Sequence, residues 1–492
     1  MFANATYSVE TSKNETQSFT AIGFPSDKMD YISFGNGYPN GGKPGGSENT
    51  TRSIGVIGSV NYSYADRYLA DVSYRLNASS QFGAKNKWGH FWSVGIGWNL
   101  HHESWLKESD WLTYCKLRAS IGYTGSQNFN SYQALSTYSY ITDRTYNGDM
   151  GVVLMALAND NLKWQRQLDR SIGLDFTLFN RLSGRVDFYS DRTDNLLTDV
   201  TLAPSSGFSS YKENLGITDN TGIEVSLNYR VLSHAASRTS LNIFAGISHN
   251  KNKIAKISNA LKAYNEEQDA QKNDYAGSEE EKAAQRKVST RYEEGQSMSA
   301  IWAVRSAGID PITGKEVFIK KDGTTTYEWS ADDQVVCGDA TPKVQGNIGL
   351  SARWKDIDLN VAFTYKLGGQ TYNSTLVDKV ENVDVANWNV DNRVLTDRWN
   401  TPGVPAKFKA IGDYSTTKPT SRFVEDYNEL AFSAISLGYD FSNLKFIKRS
   451  PLEYLKLTAT MNDIGWLSNV KKEFGLSYPR ARVFSFTLSA RF

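Results

Sequence analysis

The chain has 492 residues, a formal net charge of +1 and an aromatic content of 13%. Its 54 basic and 53 acidic residues nearly balance, which gives no electrostatic basis for binding nucleic acid. No stretch approaches the roughly 18 consecutive apolar residues of a membrane-spanning helix. Only two cysteines, Cys115 and Cys337, are present, which excludes a disulfide framework. The opening residues MFANATYSVE lack the basic and apolar regions of a secretory signal.

Alternation of apolar and polar residues recurs along almost the whole chain and indicates β-strands. Most of these runs exceed the usual globular strand of about 5–6 residues, and they match the ~9–11 residues that a tilted strand needs to cross a bilayer. The predicted strands lie near 2–10, 15–23, 52–63, 67–78, 89–100, 113–123, 167–179, 184–192, 222–231, 239–250, 344–354, 357–367, 430–441, 453–461 and 483–492.

Short and long connections alternate from residue 24 onward, although 79–88 and 101–112 are similar in length. Outer-membrane barrels have short periplasmic turns and long extracellular loops, so the sequence predicts an all-β, antiparallel transmembrane β-barrel. Residues 1–492 are interpreted as one barrel portion, with 251–343 and 368–429 as its longest loops. Within the first of these, residues 251–300 are rich in Lys, Glu, Gln and Ala, which predicts a solvated helical excursion.

The alternation also assigns the two faces of each strand. In 222–231, Ile223, Val225, Leu227 and Tyr229 are expected to face lipid, and Glu224, Ser226 and Arg230 the lumen. The last strand follows a long loop, so it should run inward and place Phe492 at the periplasmic rim. Aromatic residues near the predicted strand ends suit the girdles of such barrels: Tyr62, Tyr64, Trp98, Trp105, Trp111, Tyr123 and Trp354.

Candidate catalytic and metal sites are weak. His101, His102 and Glu103 are metal-ligand types, but adjacent side chains on extended backbone point in different directions. Asp332 and Asp333 are neighbours in a loop rather than opposed carboxylates, and the Gly-rich stretch 35–51 has no strand-to-helix frame for a phosphate. We therefore expect no enzyme activity, no metal and no cofactor.

Several segments resemble one known family. Trp164, Gly173 and Asp175 match a conserved stretch that precedes a hairpin in the SusC/RagA family of TonB-linked outer-membrane proteins. A second stretch of that family is matched at Asn214, Gly216, Asn220, Gly222 and Glu224. Further matching segments run from about residue 50 to the end: NASSQFGAKNKWGHFWSVGIGW, CKLRASIGYTGSQN, AGIDPITGK, GDATPKVQGNIG, TYKLGGQTYN, SRFVED and YPRARVFSFTLSARF.

The resemblance implies a 22-stranded barrel with an internal plug, a SusD-like surface lipoprotein lid, and energy supplied through TonB. No segment here resembles the plug, so the chain is expected to be the C-terminal barrel portion of such a transporter, with the plug absent. TonB would then act through that N-terminal plug part. Phe492 resembles the aromatic ending that outer-membrane assembly machinery recognises.

The expected function is import of oligomeric nutrients, glycans first and peptides second, across the cell outer membrane. Aromatic loop side chains would contact the substrate, because sugars stack on ring faces: Tyr132, Tyr138, Trp302, Trp329, Trp388 and Trp399. One alternative is a passive outer-membrane pore or structural barrel, and another is a secreted β-sandwich or adhesin. The discriminating observations are a neighbouring gene for the plug and lipoprotein, and membrane fractionation.

Overall fold

A computed structural model describes the chain except residues 41, 43, 84, 127–133, 158, 160, 161, 196, 202–209, 215, 275, 384, 386–389 and 472–480. The strands in chain order are β1 Phe2–Ser18, β2 Gly45–Tyr64, β3 Tyr68–Ser79, β4 Trp88–Asn99, β5 Leu112–Ser126, β6 Thr137–Tyr146, β7 Asp149–Ala156, β8 Gln165–Leu178, β9 Leu182–Asp194, β10 Leu197–Thr201, β11 Ser210–Asn214, β12 Ile217–His234, β13 Thr239–Lys256, β14 Ala300–Ile309, β15 Glu316–Ile319, β16 Thr325–Thr326, β17 Gln334–Asp339, β18 Val344–Trp354, β19 Ile357–Tyr372, β20 Val424–Asp440, β21 Tyr454–Ser468 and β22 Phe484–Arg491. The α-helices are α1 Asn259–Asn273, α2 Glu279–Gln285 and the single turn α3 Ser374–Leu376.

One sheet of 14 strands dominates the molecule, in the order β1-β2-β3-β4-β5-β8-β9-β12-β13-β18-β19-β20-β21-β22. Every neighbouring pair is antiparallel, and each strand lies beside the next one of the sheet along the chain. Among the described residues, three smaller sheets lie in the connections: β6 with β7, β10 with β11, and the four-stranded β16-β15-β14-β17. The predicted antiparallel all-β architecture is confirmed.

The connections of the large sheet alternate strictly between two ends. At the short-turn end lie 65–67, 100–111, 179–181, 235–238, 355–356 and 441–453; at the long-loop end lie 19–44, 80–87, 127–164, 195–216, 257–343, 373–423 and 469–483. Residues 80–87 are shorter than 100–111, so length alone is ambiguous there, as the sequence indicated. The smaller sheets and α1 to α3 all belong to the long-loop end.

The start of the chain corrects one prediction. The predicted strands 2–10 and 15–23 are the single strand β1, paired without a break from Phe2↔Asn61 to Ser18↔Gly45. The stretch between them is polar and shows no apolar alternation. Backbone pairing with β2 nevertheless continues through it, and Lys13 Nζ lies 3.0 Å from Glu48 Oε2. Alternation marks only the part of a strand that needs an apolar face, so it underestimates strand length.

The pairing register separates an apolar from a polar face, as predicted. On β12, Val225 lies opposite Val186 and Ile247, whereas the adjacent Glu224 lies opposite Asp187 and Ser248. Since side chains alternate between faces along a strand, each row of cross-strand partners shares a face. We call these the apolar face, with Ile223, Val225, Leu227 and Tyr229, and the polar face, with Glu224, Ser226 and Asn228.

Most of the aromatic residues predicted for the girdles lie at the short-turn end. The predicted girdle residues there are all at least one-third exposed: Tyr62, Tyr64, Trp98, Trp105, Trp111 and Trp354. Tyr123 instead lies toward the long-loop end of β5. Phe492 follows β22 and is 82% exposed, and its role in assembly remains a prediction. In the part of the chain that the structure describes, no helix is both long and apolar enough to cross a membrane.

The predicted helical excursion 251–300 contains α1 and α2, but the prediction was wrong for 251–256, which continue the pairing of β13 with β12. Ser278 begins α2 with a capping box, in which its side chain accepts from the Glu281 backbone and Glu281 accepts in return. The excursion is not free in solvent, however, because Lys418 of a distant loop donates from Nζ to the Lys272 carbonyl. The sequence could show the helical composition but not this tertiary contact.

Candidate functional site

The polar face carries a connected set of ion pairs across β5, β8 and β9. Arg118 donates from Nε to Asp175 Oδ2 over 3.1 Å and from Nη2 to Asp187. Arg185 donates from Nε to Asp187 Oδ2 over 2.7 Å and lies 3.7 Å from Asp175. Two guanidinium groups thus bridge two carboxylates on neighbouring strands, which restricts the conformations of all four side chains.

Gly173 makes room for this arrangement. A Cβ at this position would lie 2.4 Å from Asp187 Oδ1 and 2.6 Å from the Arg118 guanidinium carbon. Any side chain longer than hydrogen would therefore displace the ion pairs. At this point of the polar face the charges of Arg118 and Arg185 are therefore paired with those of Asp175 and Asp187.

The second feature is a folded unit at the long-loop end, formed by the described residues of 257–343 and 373–423 and called here the loop body. Its two segments are joined by backbone pairing, since Val304 donates from its N–H to the Pro419 carbonyl over 3.1 Å. Trp329 Nε1 donates to the same carbonyl over 3.0 Å, and Trp399 Nε1 donates to the Pro311 carbonyl over 2.8 Å. Two loops that are distant in sequence therefore fold as one unit.

A small apolar core and a buried ionic cluster stabilise the loop body. The core contains Val377, Val380, Val394, Phe408 and Phe423. Beside it, Arg422 forms a two-pronged bond with Glu316, from Nε over 3.2 Å and from Nη2 over 2.8 Å. Nη2 also donates to Glu381 Oε1 over 2.6 Å. Burial alone lowers the pKa of Arg422, but attraction to Glu316 and Glu381 outweighs it and raises that pKa.

The structure places the predicted substrate-contact residues in different settings. Trp302 is only 4% exposed and lies beneath the Arg291 guanidinium, whose carbon is 5.4 Å from the ring centroid. Trp329 and Trp399 are partly buried, with their indole N–H groups bonded inside the loop body. Tyr138 is 63% exposed on β6. Tyr132 and Trp388 lie outside the described residues. The substrate-contact role of this set remains a prediction.

The candidate metal ligands have structural partners. Glu103 accepts from Tyr68 Oη and Trp98 Nε1, each over 3.0 Å, and lies 3.6 Å from Arg67. His101 Nδ1 lies 3.0 Å from the Cys115 carbonyl. Within the described residues, no three His, Cys, Asp or Glu side chains come together as a metal site. Cys115 and Cys337 are free thiols.

Sequence reasoning missed Arg422 and its partners. The only signal was the family-like segment SRFVED, which contains Arg422 but says nothing of Glu316, 106 residues earlier. It also missed the β6–β7 hairpin, where exposed Tyr138 and Tyr140 share one face two residues apart.

Comparisons with known proteins agree on one family. The family model described as TonB dependent receptor-like, beta-barrel matches residues 3–462. TonB-dependent receptor P3 of Formosa agariphila is 29% identical over 99% of this chain and 50% of its own length. TonB-dependent receptor SusC of Bacteroides thetaiotaomicron is 25% identical over 89% of this chain and 44% of its own.

Solved structures show the same fold. The structure of the RagAB peptide transporter superposes with a TM-score of 0.78 at 23% identity, over 95% of this chain and 50% of that chain. The chain thus spans about half the length of the relatives that it matches. The expected resemblance to SusC and RagA is confirmed. With a family match over most of its length and the antiparallel sheet described above, this chain belongs to the TonB-dependent receptor β-barrel family of outer-membrane proteins.

Proposed function

We propose that this chain forms part of the barrel wall of a TonB-dependent transporter that imports oligomeric nutrients across the outer membrane. The polar face is its lumen, and the loop body stands at the extracellular mouth. The observation that carries the proposal is the family match joined to a polar face on which Arg118 and Arg185 pair with Asp175 and Asp187. Such a wall offers polar, hydrogen-bonding groups to a hydrated solute.

The substrates that we propose are glycans, with peptides as the second class. Tyr138 and Tyr140 are 63% and 66% exposed on one face of β6, at the extracellular end. Exposed ring faces at this spacing suit stacking on successive sugar rings. Of the relatives, the RagAB structure is named as a peptide transporter, which supports retaining the second class.

The partners that we propose are a SusD-like surface lipoprotein and TonB, the latter acting through an N-terminal plug part of the whole protein. The RagAB name denotes an assembly of more than one component, which supports a protein partner for this relative. The packed loop body would give a lipoprotein a firm surface, because its Arg422 cluster and tryptophan hydrogen bonds limit movement.

Uptake by cells tests this function. A strain lacking the native gene would carry the full-length protein, and uptake of fluorescent oligosaccharides and oligopeptides of equal size would be compared with and without TonB. Transport of one class that stops without TonB supports the proposal, whereas uptake that continues without TonB indicates a passive pore. Tyr138→Ala with Tyr140→Ala should raise KM for glycans severalfold, and Tyr64→Ala, an exposed tyrosine at the short-turn end, is the control.

A further inference from the structure

The apolar face changes character sharply toward the long-loop end of β8, β9, β12 and β13. The register aligns Leu174, Val186, Val225 and Ile247 in one row, and Ile172, Phe188, Ile223 and His249 in the next. One step further out, the row contains Arg170, Ser190, Thr221 and Lys251. The row beyond contains Leu168, Arg192, Asp219 and Lys253. Apolar side chains thus give way to cations on the same face within two rows.

The cations of this region, called here the basic belt, are Arg166, Arg170, Arg192, Lys251 and Lys253. All five are exposed. The acids on this face are Asp194 and Asp219, which lie 3.5 Å and 3.9 Å from Arg192. Five cations against two carboxylates leave an excess of three positive charges. Among the described residues, Arg170, Lys251 and Lys253 form no ion pair, so their charge is available to a ligand.

The position of the basic belt relative to the membrane determines which molecules can contact it. In this family of outer-membrane proteins the apolar face is turned to lipid, and the long loops lie outside the cell. The belt therefore lies at the boundary between the hydrocarbon and the outer leaflet's head groups. The guanidinium carbon of Arg166 lies 5.4 Å from the ring centroid of Tyr123 on neighbouring β5. Such a cation–π contact is expected for an aromatic side chain at a membrane interface.

We propose that the basic belt binds the phosphate groups of an anionic glycolipid of the outer leaflet, of the lipid A type. The lipid's acyl chains would lie along the rows of Ile172, Phe188 and Ile223. Arginine pairs with phosphate through two parallel hydrogen bonds, and lysine adds a point charge. Arg170 and Lys251 stand at the two ends of one cross-strand row, so one di-phosphorylated head group can engage both sides of the belt. The inference rests on membrane orientation and does not depend on the transported solute.

Lipid retention by the purified full-length protein tests this site. The protein would be extracted in mild detergent, and native mass spectrometry would measure the fraction carrying lipid A. Arg170→Gln with Lys251→Gln removes two charges from one row and should lower lipid A affinity roughly 25-fold, taking about fivefold for each cation near an anionic surface. Lys445→Gln with Lys448→Gln, two exposed cations at the short-turn end, is the matched control and should change nothing.

Wild-type protein in nanodiscs gives a second readout that needs no variant. Lipid A should bind, enzymatically dephosphorylated lipid A should bind at least tenfold more weakly, and added NaCl should weaken the binding of lipid A. The exchange Arg170→Lys with Lys251→Arg keeps both positive charges and should therefore preserve the retention of lipid A. Equal binding of the dephosphorylated lipid would overturn the proposal. The proposal would also be overturned if the double Gln variant kept full lipid A retention while showing the wild-type heat-dependent shift on gels. An equal loss of lipid A retention in the Lys445→Gln, Lys448→Gln control would overturn it as well.

Discussion

Arg422 donates from Nη2 to Glu381 over 2.6 Å, and the Glu381 side chain is completely buried. The same guanidinium bonds Glu316, so it joins segment 373–423 to β15 in segment 257–343. Glu381 Oε2 has no protein partner among the described residues. Two buried carboxylates therefore form their ion pairs with one guanidinium, so loss of Arg422 should destabilise the loop body.

Replacing Arg422 tests this dependence. Arg422→Met should destabilise the loop body by roughly 3–5 kcal/mol, because removing one partner leaves buried charges uncompensated. Limited proteolysis of whole cells should then cut within 257–343 and 373–423 much faster. Lys407→Met is the control, since Lys407 and Asp397 are 3.0 Å apart but 75% and 52% exposed, and such pairs contribute little. Equal protease resistance of both variants would show that the two loops do not depend on Arg422.

The two faces of β12 can be compared by adding charge. Leu227 is on the apolar face opposite Gly184 and Ala245, and Leu227→Arg should cost about 2–4 kcal/mol near the bilayer midplane. Ser226 is on the polar face opposite Arg185 and Gly246, and Ser226→Arg should be tolerated there. Folding titrations into lipid vesicles measure both variants. Similar losses for the two would reverse or remove the face assignment.

The orientation can be tested by labelling intact cells. Glu280 is exposed in α2 at the long-loop end, and Ala235 is exposed in the turn between β12 and β13. With Cys115 and Cys337 replaced by Ser, Glu280→Cys should react with a membrane-impermeant maleimide, and Ala235→Cys should react only after the outer membrane is opened. The opposite labelling pattern would invert the topology.

Lys272 makes the stability of the helical excursion depend on pH. Its side chain is buried and donates to the carbonyls of Gln285 and Lys287, and burial lowers its pKa to about 8. The unfolded chain binds this proton more tightly, with a pKa near the ordinary value of about 10.4. The penalty for keeping Lys272 charged is complete below pH 8 and disappears as the pH rises toward 10.

Protease resistance of the segment 257–299, corrected with an unstructured substrate, should therefore increase between pH 7 and pH 9.5. Lys272→Met carries no charge and should show a smaller increase over the same range, with the remainder due to Lys418, whose pKa is also lowered by burial. Lys262→Met, which removes an exposed lysine of α1, should keep the wild-type slope. A wild-type profile that is already flat would contradict the assigned pKa.

The sequence was sufficient to predict the strands of the large sheet, because strands that face lipid need a sustained row of apolar residues. The alternation within each strand is enough to place Val225, Val186 and Ile247 on the apolar face. The loop body has no such constraint: β15 and β16 are short, and Glu316 meets Arg422 from 106 residues away. For the same reason composition could not distinguish an exposed ring such as Tyr138 from the packed Trp302, whose environment depends on Arg291.

The two edges of the large sheet are the strands β1 and β22. Among the described residues, β1 pairs only with β2 and β22 only with β21, and every residue of β1 is exposed. Unpaired N–H and C=O groups in hydrocarbon cost several kcal/mol each, so both edges need partner strands inside a membrane. Expressed alone, the 492 residues should not give a heat-resistant, protease-protected barrel in outer membranes. A protein of the full length of its relatives should give both properties, and truncation of Phe492 in that protein should slow its assembly. If the 492 residues alone insert stably and conduct ions, the sheet closes on itself, and the passive pore becomes the preferred function.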